Sequence, residues 1–289
     1  MIPSAFEYAA PQSLAEAISF LQGHAGQAKV LAGGQSLIPL MKFRLASPEY
    51  LVDIARVPGL AHLEERAGHL AIGSMVREAV LEASPLIRAR YPALLETSLV
   101  VADPLVRNFA TVGGNVAHAD PANDHPATML ALRAHAVVEG PGGRRTIAID
   151  DFLVDTFETA LAPDEVLVEL QVPQPAAHSG SAYVKLERKV GDYAIAGVAV
   201  QVTLEGDVCH EAGLGLTNVG SKAIRPLEAE RFLVGKRLDE DVLRQAADLA
   251  ATAAEPVSDL RGPAEYKRAM VRTLTVRALR KAAQRAKEA

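Results

Sequence analysis

Hydrophobic positions recur along the chain in two rhythms, and the change from one to the other divides it. Leu14, Ile18 and Leu21 fall at helical spacing behind Ser13, which stands to Glu16 as the two ends of a capping box, and Gly23 supplies the stop. Lys29 to Leu31 reads as a short buried strand, and Leu37 to Met41 as a helix with Pro39 in its first turn, where a missing N–H is tolerated. Tyr50 to Ile54 and Leu70 to Gly73 read as strands. Residues 77–101 read as helix interrupted at Pro85 and Pro92, Pro126 to Arg133 as a further helix, and Ala136 to Ile149 as a hairpin about Gly140-Pro141-Gly142-Gly143.

From Val166 the texture changes. Val166 to Val172 is a strand, and Pro173, Pro175 and Gly180 mark a connection. Ile195 to Leu204 alternates in the strand sense, turns at Glu205-Gly206-Asp207 and returns over Val208 to Thr217. Helices follow near 226–234, 239–253 and 263–285. Strands followed by helices predict an α+β second domain, placed at 178–289 behind a first domain at 1–177.

Composition narrows the class. Of 289 residues, 49% are hydrophobic but only 4% aromatic, with no tryptophan, so the core is aliphatic. With 30 basic against 35 acidic residues, the net charge of −5 argues against general nucleic-acid binding. The basic positions Arg277, Arg280, Lys281, Arg285 and Lys287 read as the solvated face of a terminal helix. No apolar run is long enough for a membrane span, and the N-terminus lacks the regions of a signal peptide, so a cytoplasmic protein is expected. The single cysteine, Cys209, excludes an intrachain disulfide framework and a cluster ligated by this chain alone; it reads as a structural thiol.

The most informative chemistry lies in two glycine pairs, Ala32-Gly33-Gly34-Gln35-Ser36 after Val30-Leu31, and Thr111-Val112-Gly113-Gly114-Asn115. Glycine allows φ > 0 and close approach of a ligand to the main chain, and successive N–H groups in such turns converge on anions. Two such turns with similar flanks suit the two phosphates of a dinucleotide; either alone would read as a tight turn. Gly213, Gly215 and Gly220 lack the spacing and the strand–helix context of a dinucleotide fingerprint, and read as a bulge or close packing. His118, Asp120, Asp124 and His125 have the composition of a metal site without a helical pair of histidines; Asp124 as an acceptor for ribose hydroxyls is the better reading. Neither a P-loop nor a nucleophile elbow is present. Between Lys185 and Val198, basic residues and Tyr193 read equally as groups for a planar, phosphorylated cofactor or as a surface strand turning at Gly191-Asp192.

Taken together and in order, Ala32 to Leu37, Arg107-Asn108 ahead of Thr111 to Asn115, Ala119 to Ala122 with Asp124, and Asp192-Tyr193-Ala194-Ile195 resemble the FAD-binding medium subunit of the molybdenum hydroxylases, over essentially the whole chain. The resemblance implies a vanillyl-alcohol-oxidase (PCMH)-type FAD-binding domain of two subdomains, split near residue 57, plus a C-terminal α+β domain. It implies that Val30, Leu31, Ala32, Gly33, Gly34, Gln35, Ser36 and Leu37, with Thr111, Val112, Gly113, Gly114 and Asn115, contact the pyrophosphate and neighbouring groups. Val101 would lie against the cofactor, Asp124 on the ribose side, Leu167 and Lys185 toward the flavin end, and Tyr193, after Asp192, over one ring face. Partners implied are a small subunit with [2Fe–2S] clusters and a large subunit with molybdopterin, assembled as a dimer of heterotrimers; this chain would pass electrons to an external acceptor and carry no catalytic residue for the hydroxylation. Gln35 stands where relatives often have His, and Val101-Ala102-Asp103-Pro104-Leu105 replaces a more usual Gly-His-Pro-Gln pattern. Two other readings are a self-contained FAD reductase of the same superfold, for which no hydride-donor motif stands out, and a cofactor-free scaffold subunit, which leaves the twin loops unexplained.

Overall fold

A computed structural model describes residues 2–289. The chain opens with β1 (Glu7–Ala9), α1 (Leu14–Gly23), β2 (Ala28–Leu31), α2 (Leu37–Lys42) and β3 (Tyr50–Asp53). The three strands form a parallel sheet in the order β1-β3-β2. Ser13 caps α1, its Oγ accepting from the N–H of Glu16 at 3.2 Å, but the Glu16 carboxylate reaches the N–H of Gln12 at 2.8 Å rather than that of Ser13. The capping is thus reciprocal but offset by one residue. Ala17, Ile18 and Leu21 bury the inner face of α1 against Val52 and Ile54. β2 is only partly buried, where the apolar run suggested full burial.

A second unit follows: β4 (Leu63–Arg66), β5 (His69–Gly73), α3 (Glu78–Ala83), α4 (Pro85–Arg90), α5 (Pro92–Val100), α6 (Pro104–Arg107), α7 (Val112–His118), α8 (Asp124–Ala131), β6 (His135–Gly140), β7 (Gly143–Ala148), α9 (Ile149–Phe152), β8 (Leu153–Asp155), β9 (Glu158–Thr159) and β10 (Val166–Pro173). Its antiparallel sheet runs β4-β5-β10-β6-β7, with β8 and β9 as a separate pair. The prolines at 85 and 92 open α4 and α5, where each fits the first turn, so one broken helix becomes three short ones. Leu70, Ile72, Leu94, Met129, Phe152 and Leu170 belong to its largely aliphatic apolar core. The segment Thr111–Asn115, expected as a glycine turn, is instead the N-terminus of α7 with Thr111 as its N-cap.

The last unit is the meander β11 (Ser179–Glu187), β12 (Ala194–Glu205) and β13 (Val208–Thr217), followed by α10 (Leu227–Leu233), α11 (Glu240–Ala253) and α12 (Ala264–Glu288). The three helices share an apolar cluster with the sheet through residues such as Leu233, Leu243, Val271 and Leu279. The sheet also meets α8 of the preceding unit, and glycine makes that contact possible. A Cβ on Gly215 would lie 2.7 Å from the carbonyl carbon of Ala127, and one on Gly213 would lie 3.1 Å from that of Ala131. The basic face of α12 is not simply solvated. Lys281 and Arg285 both reach Glu96 of α5, at 2.8 and 2.5 Å, and Arg280 holds Glu240 at 2.8 Å.

Candidate functional site

The two glycine pairs meet at the seam between the parallel sheet and the five-stranded unit. Beyond β2 the chain leaves the sheet at Ala32 and Gly33, Gly34 takes a φ of +74°, and Gln35 and Ser36 lead into α2 at Leu37. Gly34 accepts from the N–H of Ile38 at 3.0 Å, and the exposed Gln35 amide donates to the Gly33 carbonyl at 3.3 Å. Among the described residues, the N–H groups of Gly33, Gly34, Gln35 and Ser36 meet no acceptor. On the facing loop, Thr111 Oγ1 accepts from the N–H of Gly114 at 3.1 Å, and Val112 donates to Val76 at 2.9 Å.

The glycines bring these loops together before they admit any ligand. A Cβ at Gly33 would lie 2.9 Å from the Phe109 carbonyl carbon, and one at Gly113 would lie 2.5 Å from the Ser74 Cα. One at Gly114 would come within 3.6 Å of Ala32 Cβ. The resulting seam holds two buried side-chain atoms with no partner, Ser74 Oγ and Asn115 Oδ1, while Asn123 donates to the Asn115 carbonyl at 2.9 Å. Buried polar atoms are nearly always satisfied, so orphans here mark where a polar ligand belongs. Unbonded backbone N–H groups on the neighbouring loop, without any basic side chain in either loop, suit a phosphate held by main-chain dipoles. A dinucleotide cofactor fits this seam.

A second cluster joins α8 to β11. Asp124 is buried, its Oδ1 accepting from the Tyr183 hydroxyl at 2.5 Å and its Oδ2 from Lys185 Nζ at 3.0 Å. Lys185 also donates to the Val100 carbonyl at 2.9 Å and stands 3.2 Å from Glu187. Its side chain is 2% exposed, so Lys185 is not a surface residue, whereas Arg188 and Lys189 beyond it are exposed. Burial pushes the Asp124 carboxyl up, against the pull of Lys185, Tyr183 and His125, and burial with the Asp124 charge pushes the Tyr183 hydroxyl well up. Both oxygens of the residue expected on the ribose side are thus engaged in fastening α8 to the C-terminal sheet. The other residues of the polar loop separate: His118 packs on Phe157 with ring centroids 5.0 Å apart, and His125 Nε2 lies 2.8 Å from Glu78, both fully buried. Among the described residues no three His, Cys, Asp or Glu side chains are grouped to hold a metal.

Val101 closes α5, and its carbonyl and that of Ala102 accept from Arg107 at 3.2 and 3.4 Å, while Arg107 Nε holds Glu82 at 2.8 Å. Arg107, one of the motif residues, is therefore a buried brace for the Val101 loop. Asp103 caps α6 through the N–H groups of Leu105 and Val106 at 2.8 and 3.0 Å. Gly191, at φ +78°, packs on Ala102, 2.8 Å from its carbonyl carbon for a Cβ that glycine lacks. Asp192 then accepts the N–H of Tyr193 at 2.9 Å, and the Tyr193 ring is 45% exposed. Leu167 stands apart from these groups in kind: it sits at a bulge of β10 with its side chain in the apolar core.

Ser74, Asn123 and Tyr183 are the polar groups that sequence reasoning passed over. Tyr183 carried a signal, because it lies two residues before Lys185 in an alternating strand and so shares its face. Ser74 carried none, since only the fold brings it against Gly113.

Residues 4–175 match the family described as the FAD binding domain in molybdopterin dehydrogenase, and residues 181–282 match the CO dehydrogenase flavoprotein C-terminal domain. The carbon monoxide dehydrogenase medium chain of Hydrogenophaga pseudoflava is 46% identical, with 96% of this chain and 97% of that one covered. That of Afipia carboxidovorans is 43% identical over 99% and 100%. Among solved structures, carbon monoxide dehydrogenase from Hydrogenophaga pseudoflava superposes with a TM-score of 0.97 at 47% identity, covering 99% of each chain. Quinoline 2-oxidoreductase from Pseudomonas putida 86 gives 0.93 at 36% identity over the same shares. The chain belongs to the FAD-binding medium subunits of the molybdenum hydroxylase family, and is a flavoprotein component of a multi-subunit oxidoreductase.

Proposed function

We propose that this chain is the electron-transfer subunit of a molybdenum-containing hydroxylase or dehydrogenase. It receives electrons from [2Fe–2S] clusters on a small partner subunit, fed by molybdopterin on a large one, and hands them to an external acceptor. The assembly is a cytoplasmic dimer of heterotrimers. The FAD-binding domain spans 1–177, with its subdomains meeting near residue 57, and the C-terminal domain spans 178–289. The observation that carries this reading is the seam of facing glycine loops with unbonded N–H groups and the orphaned Asn115 and Ser74 oxygens.

Bound FAD supplies a two-electron store that can be emptied in one- or two-electron steps. This chain's own residues do the rest. Residues 30–37 and 111–115 hold the pyrophosphate and its neighbours, with the unbonded N–H groups of Gly33 to Ser36 as donors. Val101, braced by Arg107, forms a wall of the site, and Lys185, fixed by Asp124, Glu187 and Val100, keeps a positive charge near the flavin end. Leu167 closes the same end from the core side, and Asp192 with Tyr193 covers one ring face. No residue of this chain is asked to touch the substrate of the hydroxylation. The single cysteine supports the division of labour, because clusters need several thiolates and this chain offers one.

The test is purification of the tagged chain from its native host under mild conditions. The expected result is a yellow complex with two further subunits, containing molybdenum and iron. A yellow single chain that oxidises NADPH would replace this reading with a self-contained reductase, and colourless protein would replace it with a scaffold.

A further inference from the structure

The loop 254–263, between α11 and α12, carries no motif, yet several hydrogen bonds tie it down. Asp259 accepts from Lys267 Nζ at 2.7 Å, with Lys267 only 1% exposed, and from the N–H of Arg261 at 2.8 Å. Asp259 and Gly262 exchange backbone hydrogen bonds of 3.1 Å, and Ser258 Oγ accepts from Ala264 at 2.9 Å. This tether holds the stem of Arg261 in place from its backbone, and the guanidinium projects onto the Tyr193 segment.

Two contacts meet there. Arg261 Nη2 lies 3.2 Å from Asp192 Oδ1, the same oxygen that accepts the N–H of Tyr193, and Arg261 Cζ lies 5.4 Å from the Tyr193 ring centroid. Arg188 flanks Asp192 from the other side at 3.3 Å. A planar guanidinium can bond a carboxylate with its edge while its face attracts an aromatic ring, which an ammonium cannot do at once. Arg261 Nε is buried with no acceptor in the chain, so the group is placed for Asp192 and the ring at the cost of one of its own donors.

We propose that Arg261 is the positioning residue for Tyr193. It fixes the ring from one face, so that access of an external acceptor to the flavin is set from loop 254–263. This rests on the placement of Tyr193 at the flavin given above. Because the tether runs through Asp259 and Lys267, removing the Arg261 side chain frees the ring without dismantling the loop.

The experiment uses the assembled complex and reads two quantities besides turnover: quenching of flavin fluorescence by acrylamide, and reoxidation of the substrate-reduced flavin by a small and a bulky acceptor. Arg261→Ala should retain FAD and raise the quenching constant about two- to fivefold, the ratio that corresponds to an exposed cation–π contact. The rate with the bulky acceptor should change more than that with the small one. Arg261→Lys, which keeps the charge on Asp192 but loses the flat face, should fall between. In a Tyr193→Ala background, Arg261→Ala should add nothing. Parent-like quenching and reoxidation in Arg261→Ala, an undiminished effect in the Tyr193→Ala background, or release of FAD by Arg261→Ala would each overturn the proposal. If Tyr193→Ala itself changes neither quantity, the placement of Tyr193 at the flavin fails instead.

Discussion

Gly33→Ala isolates the contact between the two glycine loops. The added methyl would lie 2.9 Å from the Phe109 carbonyl carbon and 3.0 Å from the Ala110 Cα, both backbone atoms. Carbon pairs settle at about 3.5–4.0 Å, so the loops must part by roughly 0.5–1 Å. Backbone cannot rotate out of the way as a side chain can, and overpacking of this kind costs about 1–3 kcal/mol. The larger effect falls on the cofactor, because the two loops then no longer converge on one phosphate pair. Each hydrogen bond to a charged group contributes about 1.5–3 kcal/mol. Losing two removes about 3–6 kcal/mol, or roughly two to four decades in Kd at about 1.4 kcal/mol per decade. The variant complex should therefore emerge from gel filtration depleted of flavin, with a thermal midpoint only modestly lowered. Gly142→Ala is the control: no atom lies within 4 Å of its Cβ position. Full flavin content and an unchanged Kd in Gly33→Ala would refute the argument that the touching loops shape the cofactor site.

Asp124→Ala should destabilise the protein by about 1–3 kcal/mol in chemical denaturation, since it strips the buried Lys185 of one of its two carboxylates and the Tyr183 hydroxyl of its nearer acceptor; a ribose role alone would lower flavin affinity and leave the denaturation midpoint where it was. Gly215→Ala sets a methyl 2.7 Å from the Ala127 carbonyl carbon and 3.0 Å from its Cα, and should cost about 1–3 kcal/mol, read as a lower thermal midpoint, by prising α8 from the C-terminal sheet. Burial, with the charge of Glu211 adding to it, pushes the Cys209 thiol up to about 11, so native protein should resist iodoacetamide at neutral pH and react only once unfolded. The same shift fixes a sign: the fold keeps this proton above the ordinary value of 9.0, the unfolded chain loses it first, and stability should fall as pH rises from there toward about 11, which denaturation midpoints across that range will show.

Features whose cause lies within a few residues were legible in the sequence. Ser13 and Gly23 bound α1, Pro85 and Pro92 open α4 and α5, and the alternation from Ile195 to Leu204 becomes β12, because capping, proline geometry and strand period are local effects. The glycine pairs pointed to the proposed phosphate site for the same reason. What they touch was not legible: Gly33 meets Phe109 and Gly113 meets Ser74 only because elements far apart in the chain are packed together. Strands as short as β1 and β9 escaped, since three or two residues carry no period and their pairing is supplied from elsewhere in the chain. Lys185 read equally as a surface lysine because lysine is almost always exposed; its burial depends on Val100, Asp124 and Glu187 converging from three elements to replace water. Arg261 lay beyond reach altogether. Its meaning is a distance to Tyr193, across some seventy positions of chain, and sequence encodes the elements while only their packing decides which side chains face one another.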